Sequence, residues 1–271
     1  MDAVANELDH RYDLADASIA AYRRDGFVHL PGVLGADTLA PYRREITRFV
    51  GESTQKAEPL EQRTTYGKAF LQVSNIWESS ALVKEFVLGR RLGRIAAELM
   101  GTTGVRIYHD QALYKEGGGG FTPWHTDQVY WPIVGNHTIT AWIPLVPVPI
   151  EMGPLQVSVG SHRCAFGRDL TIGDESERVL ARTLKDLPIH ERAFALGDVS
   201  FHSGWTFHRA GPNRSDTTRE VMTIIFMDED AVVAAPKNGA QQSDLQRWMP
   251  GRKPGDHAAS ALNPLVYSSR S

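Results

Sequence analysis

A single cysteine, Cys164, stands in a chain of 271 residues, so no disulfide can close within it and a reducing compartment is expected. A surplus of either charge is also missing. Lys and Arg number 29 against 32 Asp and Glu, a formal net charge of −3, which argues against the broad basic face that nucleic acid or an anionic membrane requires. Nor is there a long apolar run: residues 141–150 are too few to span a bilayer and contain Pro144, Pro147 and Pro149. The opening segment, Met1 to Glu7, lacks the basic-then-apolar profile of a secretion signal. These absences point to the cytoplasm and to a small-molecule ligand, with neither nucleic acid nor membrane as partner.

What is present is enough apolar material for one generous domain over 1–271, with 42% hydrophobic and 23% charged residues. Apolar residues at helical intervals predict helices over 17–24, 36–50, 82–88 and 92–100, with Asp37 as a cap of the second and Gly101 as the stop of the last. The polar stretch 51–67 reads as a loop. From Val105 the pattern changes to short β-rich runs at 105–114, 137–146, 155–159, 198–202 and 220–227, punctuated by Gly, Pro and Asn. The expected fold is mainly β with flanking helices. It is a double-stranded β-helix (a cupin-like jelly roll) over about 105–228, with N-terminal helices over about 15–101 packed on one sheet, and 229–271 as a C-terminal extension. Gly117 to Gly120 suggest a mobile approach to the barrel mouth, and the charged stretch 169–186 a cover over it.

The chemistry concentrates in Trp124-His125-Thr126-Asp127. In extended backbone, residues i and i+2 project to one side, so His125 and Asp127 can grip one ion while Thr126 points away. A third ligand must come from a distant strand, and the 197–208 segment offers His202 and His208, which alternation cannot separate because Gly204 interrupts the strand. Two imidazoles and a carboxylate on one face of a metal leave the opposite face open, the arrangement of non-heme Fe(II) oxygenases. A zinc hydrolase can use the same donors, so the triad does not name the metal. Arg219 favours the oxygenase: past the 211–213 turn it falls on a strand leading back toward the site, where its guanidinium can fork onto a carboxylate.

Order and context sharpen this. His125-Thr126-Asp127 is followed by Thr138-Ile139-Thr140-Ala141-Trp142, then Gly153-Pro154-Leu155-Gln156-Val157, Gly160-Ser161-His162-Arg163, His208-Arg209-Ala210-Gly211-Pro212-Asn213 and Arg219, with Tyr22-Arg23-Arg24-Asp25-Gly26-Phe27 near the start. From about 17 to 226 the chain resembles the phytanoyl-CoA dioxygenase family of Fe(II)- and 2-oxoglutarate-dependent oxygenases. The resemblance selects His208 over His202 as the third iron ligand and implies that Arg219 holds the distal carboxylate of 2-oxoglutarate. Gln111, Trp142, Gln72 and Ser215 match further cosubstrate contacts by register, although Gln72 stands where relatives often offer Lys and brings no charge. His202 is then a core histidine or a support to the ligands, and His109, His137 and His162 are read as ordinary packing.

The implied reaction is oxidative decarboxylation of 2-oxoglutarate by O2 to succinate and CO2, coupled to removal of a hydrogen atom from a substrate carbon. Hydroxylation, epimerisation, cyclisation or desaturation can follow. Asp127 fills a position that is small and apolar in related halogenases, which disfavours halogenation. Tyr130, Trp131, Phe201 and Trp205 are expected to line an aromatic pocket suited to a natural-product scaffold. No basic cluster suggests the nucleotide end of an acyl-CoA, and an amino acid or osmolyte precursor is a third option. The competing reading is a non-catalytic metal-binding jelly roll, a sensor or carrier, which has no use for Arg219.

Overall fold

The helical first third follows the spacing of its apolar residues. In the computed structural model, which describes residues 7–270, helix α1 covers Asp16–Asp25 and helix α2 Ala36–Ser53. Most of the opening segment lies outside the described residues. Helix α2 buries Leu39, Tyr42, Ile46 and Val50 along one stripe; burial of this kind contributes roughly 1.5–3 kcal/mol per large apolar side chain. Asp37 is not its cap. The cap is Gly35, whose N–H donates to the Glu7 carboxylate, and Asp37 lies in the first turn. The 51–67 stretch is not all loop either: a 3-10 turn spans Leu60–Gln62, and the short helix α3 (Thr65–Ala69) starts from the Thr64 hydroxyl, which accepts from Gly67 N–H. Helices α4 (Ala81–Val87) and α5 (Arg90–Met100) follow, the latter stopped at Gly101 in the left-handed region.

Two antiparallel sheets make up the β part. The larger has the order β1-β8-β5-β10-β3-β11, with β2 also on β3, where the strands are β1 Phe27–Leu30, β2 Leu71–Ser74, β3 Gly104–Tyr114, β5 Thr138–Pro144, β8 Val199–Ser203, β10 Val221–Asp228 and β11 Leu265–Ser268. The smaller has the order β4-β9-β6-β7, formed by Thr122–His125, His208–Ala210, Leu155–Ser158 and Ile189–Glu191. All five expected β runs are strands. The additional short strands were unreadable because they hold three to four residues each, too few for a period to show.

Alternation divides the larger sheet between two interiors. Ile107 and Ala112 of β3, Ile139, Ala141 and Ile143 of β5, Phe201 of β8 and Met222, Ile224 and Phe226 of β10 face the helices and form the main core with them. The opposite face looks across a cavity toward the smaller sheet. This is the jelly-roll arrangement, with the N-terminal helices on the larger sheet only.

Residues 229–270 are packed into the fold. Strand β11 pairs with β3 at one edge of the larger sheet, and helix α7 (Gly239–Trp248), after the intervening helix α6 (Asp174–Thr183), packs Leu245 and Trp248 into a second core with Tyr108, Trp131 and Ile225. No helix among the described residues is long and apolar enough to cross a membrane.

Candidate active site

The smaller sheet brings the two histidines together by direct pairing. His125, the last residue of β4, is the cross-strand partner of His208, the first of β9, and their rings lie 4.2 Å apart. Thr126 is extended, so Asp127 returns to the same side, although it opens a 3-10 turn (Asp127–Tyr130) and does not continue the strand. Its Oδ1 lies 3.6 Å from Nε2 of His125 and 3.6 Å from Nε2 of His208. Donors about 2.1 Å from one ion at right angles would be about 3 Å apart, so a small contraction brings these three onto a metal.

The surrounding hydrogen bonds set each donor in the form a metal needs. Nδ1 of His125 faces Pro123 O at 2.8 Å, and Nδ1 of His208 faces Thr206 O at 3.0 Å. A carbonyl can only accept, so both rings carry their proton on Nδ1 and turn a free lone pair on Nε2 to the site. Burial pulls both imidazoles down to about 4, which keeps them neutral at ordinary pH. Burial pushes the Asp127 carboxyl up, but the His208, His202 and His125 imidazoles outweigh it and hold it well below the usual carboxylate range. His202 is no member of this group. Its Nε2–H donates to Asp127 Oδ2 at 3.2 Å, beside Thr140 Oγ1 at 2.9 Å, so both fix the far oxygen and leave Oδ1 to the site.

A cavity of about 370 Å³ opens from this group, and Arg219 lies in its wall. Arg219 is 1% exposed, donates from Nη1 to Gly153 O, has no partner at Nε, and its Cζ lies 5.7 Å from the Phe70 ring and 5.6 Å from the Trp142 ring. No carboxylate pairs with it among the described residues, and burial lowers it to about 9. A buried cation without a counter-ion is costly unless an anion joins it, so the site fits a metal-chelating dicarboxylate such as 2-oxoglutarate.

Gln111, Trp142 and Gln72 also line the cavity, the last accepting from Tyr66 Oη at 2.6 Å. Ser215 does not. It sits in the turn after β9, its Oγ donating to Asn213 Oδ1 at 2.7 Å, outside the cavity. Tyr130 and Trp131 line the wall as expected, whereas Phe201 points into the helical core and Trp205 lies outside under Arg168, its Nε1–H on Asn136. The strand face containing Phe201 is opposite to that of His202, which one-residue alternation requires. In the glycine tract a Cβ on Gly117 would lie 2.7 Å from the Asp216 backbone, so two segments of the chain cross closely there. The 169–186 stretch covers the cavity at Ile172, whose N–H donates to Tyr130 Oη, while α6 packs on β4.

Sequence reasoning missed five contributors. His109 lines the cavity, against the packing role expected for it. Lys115, wholly buried, donates to Gly120 O and Gly211 O at 2.7 Å each and so ties the entry to β4 to the exit from β9; the cavity-side alternation 109, 111, 113 on β3 leads directly to it. Asp244, Arg247 and Trp248 of α7 close one wall, and no local signal marked them.

The family pattern described as "Phytanoyl-CoA dioxygenase (PhyH)" matches residues 22–221. An ectoine dioxygenase of Stutzerimonas stutzeri is 24% identical over 251 residues, covering 84% of this chain and 83% of the relative. Among solved structures, the non-heme alpha-ketoglutarate-dependent carbocyclase SnoK from nogalamycin biosynthesis superposes with a TM-score of 0.78 at 28% identity, covering 94% of this chain and 97% of the other. The epimerase SnoN, in complex with Fe3+, alpha-ketoglutarate and nogalamycin RO, gives 0.76 at 26% identity, with 93% and 98% covered.

Proposed function

The chain belongs to the phytanoyl-CoA dioxygenase family of Fe(II)- and 2-oxoglutarate-dependent oxygenases, and from that premise we propose that His125, Asp127 and His208 hold the iron, that Arg219 anchors 2-oxoglutarate, and that the enzyme oxidises an unactivated C–H bond of a small natural product. The observation that carries this reading is the buried Arg219 guanidinium, with no carboxylate paired to it among the described residues and in the same cavity as the three donors. Iron and 2-oxoglutarate, when bound, would supply with O2 the oxidant that removes a hydrogen atom from substrate carbon, one oxygen atom going into succinate as CO2 is released.

The chain's own residues do the positioning. Pro123 O and Thr206 O hold the two Nε2 lone pairs toward one point, and His202 with Thr140 holds Asp127 so that a single oxygen faces the same point. Trp142 and Phe70 flank Arg219 and keep water from its charge, which strengthens its grip on a carboxylate. Gln111 and Gln72 offer neutral amides along the wall. Tyr130, Trp131 and Trp248 give the remaining space aromatic sides suited to a polycyclic or ring-bearing substrate.

Similarity to a carbocyclase and an epimerase of nogalamycin biosynthesis supports natural-product tailoring, with ring closure and epimerisation as outcomes beside hydroxylation. A sensor or carrier would keep the donors but gain nothing from a buried unpaired arginine. Succinate release from 2-oxoglutarate with Fe(II) and O2 tests the reading. Turnover in the wild type and its loss in Arg219→Ala are expected; no succinate from iron-loaded protein would refute it.

A further inference from the structure

The larger sheet assigns different directions to cosubstrate and substrate. His202 pairs with Thr140, Thr140 with Ile225 and Ile225 with His109, and all four side chains line the cavity, so they form one row across four strands. Asp127 is bound to the first two members, which puts the donor group at that end. His109 is two strands beyond Thr140, about 10 Å away at a spacing of about 4.8 Å per strand. Arg219, in contrast, is displaced along the strands, at the level where it bridges to Lys115. Space reserved for a ligand of Arg219 therefore leaves the His109 end free.

Helix α7 covers that end. Trp248 lies against His109 with ring centroids 4.8 Å apart. A β-bulge between Ile225 and Phe226 leaves Tyr108 as the extra residue of β3, on the same side as His109, and its hydroxyl donates to Asp244 Oδ2 at 3.1 Å. Among the described residues no Lys, Arg or His lies within ion-pair distance of Asp244. Exposed Arg247 turns instead over the Trp248 ring at 4.3 Å. The site thus holds a carboxylate with neutral donors from Tyr108 and Trp248, an aromatic wall and no ion pair, Arg247 acting on it only at longer range.

We propose that α7 is the element that reads the substrate, and that Asp244 anchors a protonated amine on it while the Trp248 ring bounds the aromatic or cyclic body. A hydroxyl on the substrate would repeat what Tyr108 and Trp248 already supply and leave the carboxylate without an ion-pair partner; an ammonium supplies one at contact distance and is attracted by ring faces. Burial raises the Asp244 carboxyl to about 6, the direction expected of an anion awaiting a partner. The inference rests on the oxygenase reading for the identity of the cavity as the substrate site.

The test uses the whole chain without iron or 2-oxoglutarate and a fluorescent probe with a flat ring and a primary ammonium, dansylcadaverine, against its neutral N-acetyl derivative. The wild type should bind the ammonium probe about tenfold or more tightly than the neutral one. Asp244→Asn should bring the two affinities together, Arg247→Ala should keep the preference, and melting temperature and 2-oxoglutarate affinity of Asp244→Asn should match the wild type, showing that it folds. Equal affinity of both probes for the wild type, binding of neither, or a preference that persists in Asp244→Asn would overturn the proposal. Probe binding needs no turnover, so its failure is distinct from a failure of succinate release.

Discussion

At the scale of single residues, Arg219 and His202 separate chemistry from support. Arg219→Ala removes one partner of a buried charge pair and should weaken 2-oxoglutarate binding by about 2–5 kcal/mol, read by isothermal titration; an unchanged affinity contradicts the role. His208→Ala removes a donor at the centre of the group and should abolish iron binding. His202→Ala should retain iron with affinity lower by about 10–100-fold, the usual effect of losing a hydrogen bond to a ligand, and equal losses in both variants would make His202 a ligand after all. Asp110, opposite the cavity, accepts from the backbone N–H of Ile76 and Trp77. Burial lifts its carboxyl from 3.8 to about 7, so the folded state holds the proton more tightly. Its contribution to stability is full below 3.8 and is lost as pH rises through about 7. Asp110→Asn should flatten the pH dependence of urea midpoints across that window; parallel profiles for the two proteins would count against this. His125, Asp127 and Arg219 were legible in sequence because their spacing and residue types have few other uses in combination. Ser215, Phe201 and Trp205 were misplaced because nearness in sequence to a ligand says nothing of which side of a strand or turn a side chain takes.

At the scale of elements, the site depends on how strands meet. Pairing of β4 with β9 sets His125 opposite His208, and Lys115 fastens the backbone at the open ends of both. Gly153, after the 3-10 turn Ile150–Met152, has φ 64 and would place a Cβ 2.2 Å from Gly211 O, while its own carbonyl receives Arg219 Nη1. Gly153→Ala should therefore lower stability by about 1–3 kcal/mol and weaken 2-oxoglutarate binding as well, measured by thermal melting and titration on the same sample; full retention of both would show that the turn relaxes freely. The long helices and strands could be read from periodicity because each spans two or more periods. The bulge at Tyr108 could not, since it is an offset between two strands and has no signature within either.

At the scale of the whole molecule, the larger sheet separates a sealed core from a cavity, and the C-terminal residues complete both. Helix α7 walls the cavity and β11 pairs with the β3 edge. Ending the chain at residue 238 should therefore expose the β3 edge and the second core, lowering the melting temperature and promoting aggregation; a truncated chain that melts like the full one would show these contacts to be dispensable. Residues 229–271 looked peripheral in sequence because they lack a strong period, and their importance comes from what they touch.

The order of residues along the chain by itself determined the chemical type of the site: a two-histidine, one-carboxylate donor set, an arginine in register with it, and a β scaffold with helices to one side. These are local matters of spacing and residue type. Only the tertiary structure decided which histidine lies with the other two donors and which bonds the far oxygen of Asp127, that Arg219 is buried with no carboxylate paired to it among the described residues, and that Asp244 shares a cavity with donors far from it in sequence. Each of those depends on the distance between segments remote along the chain, which strand pairing and packing set and no local pattern encodes.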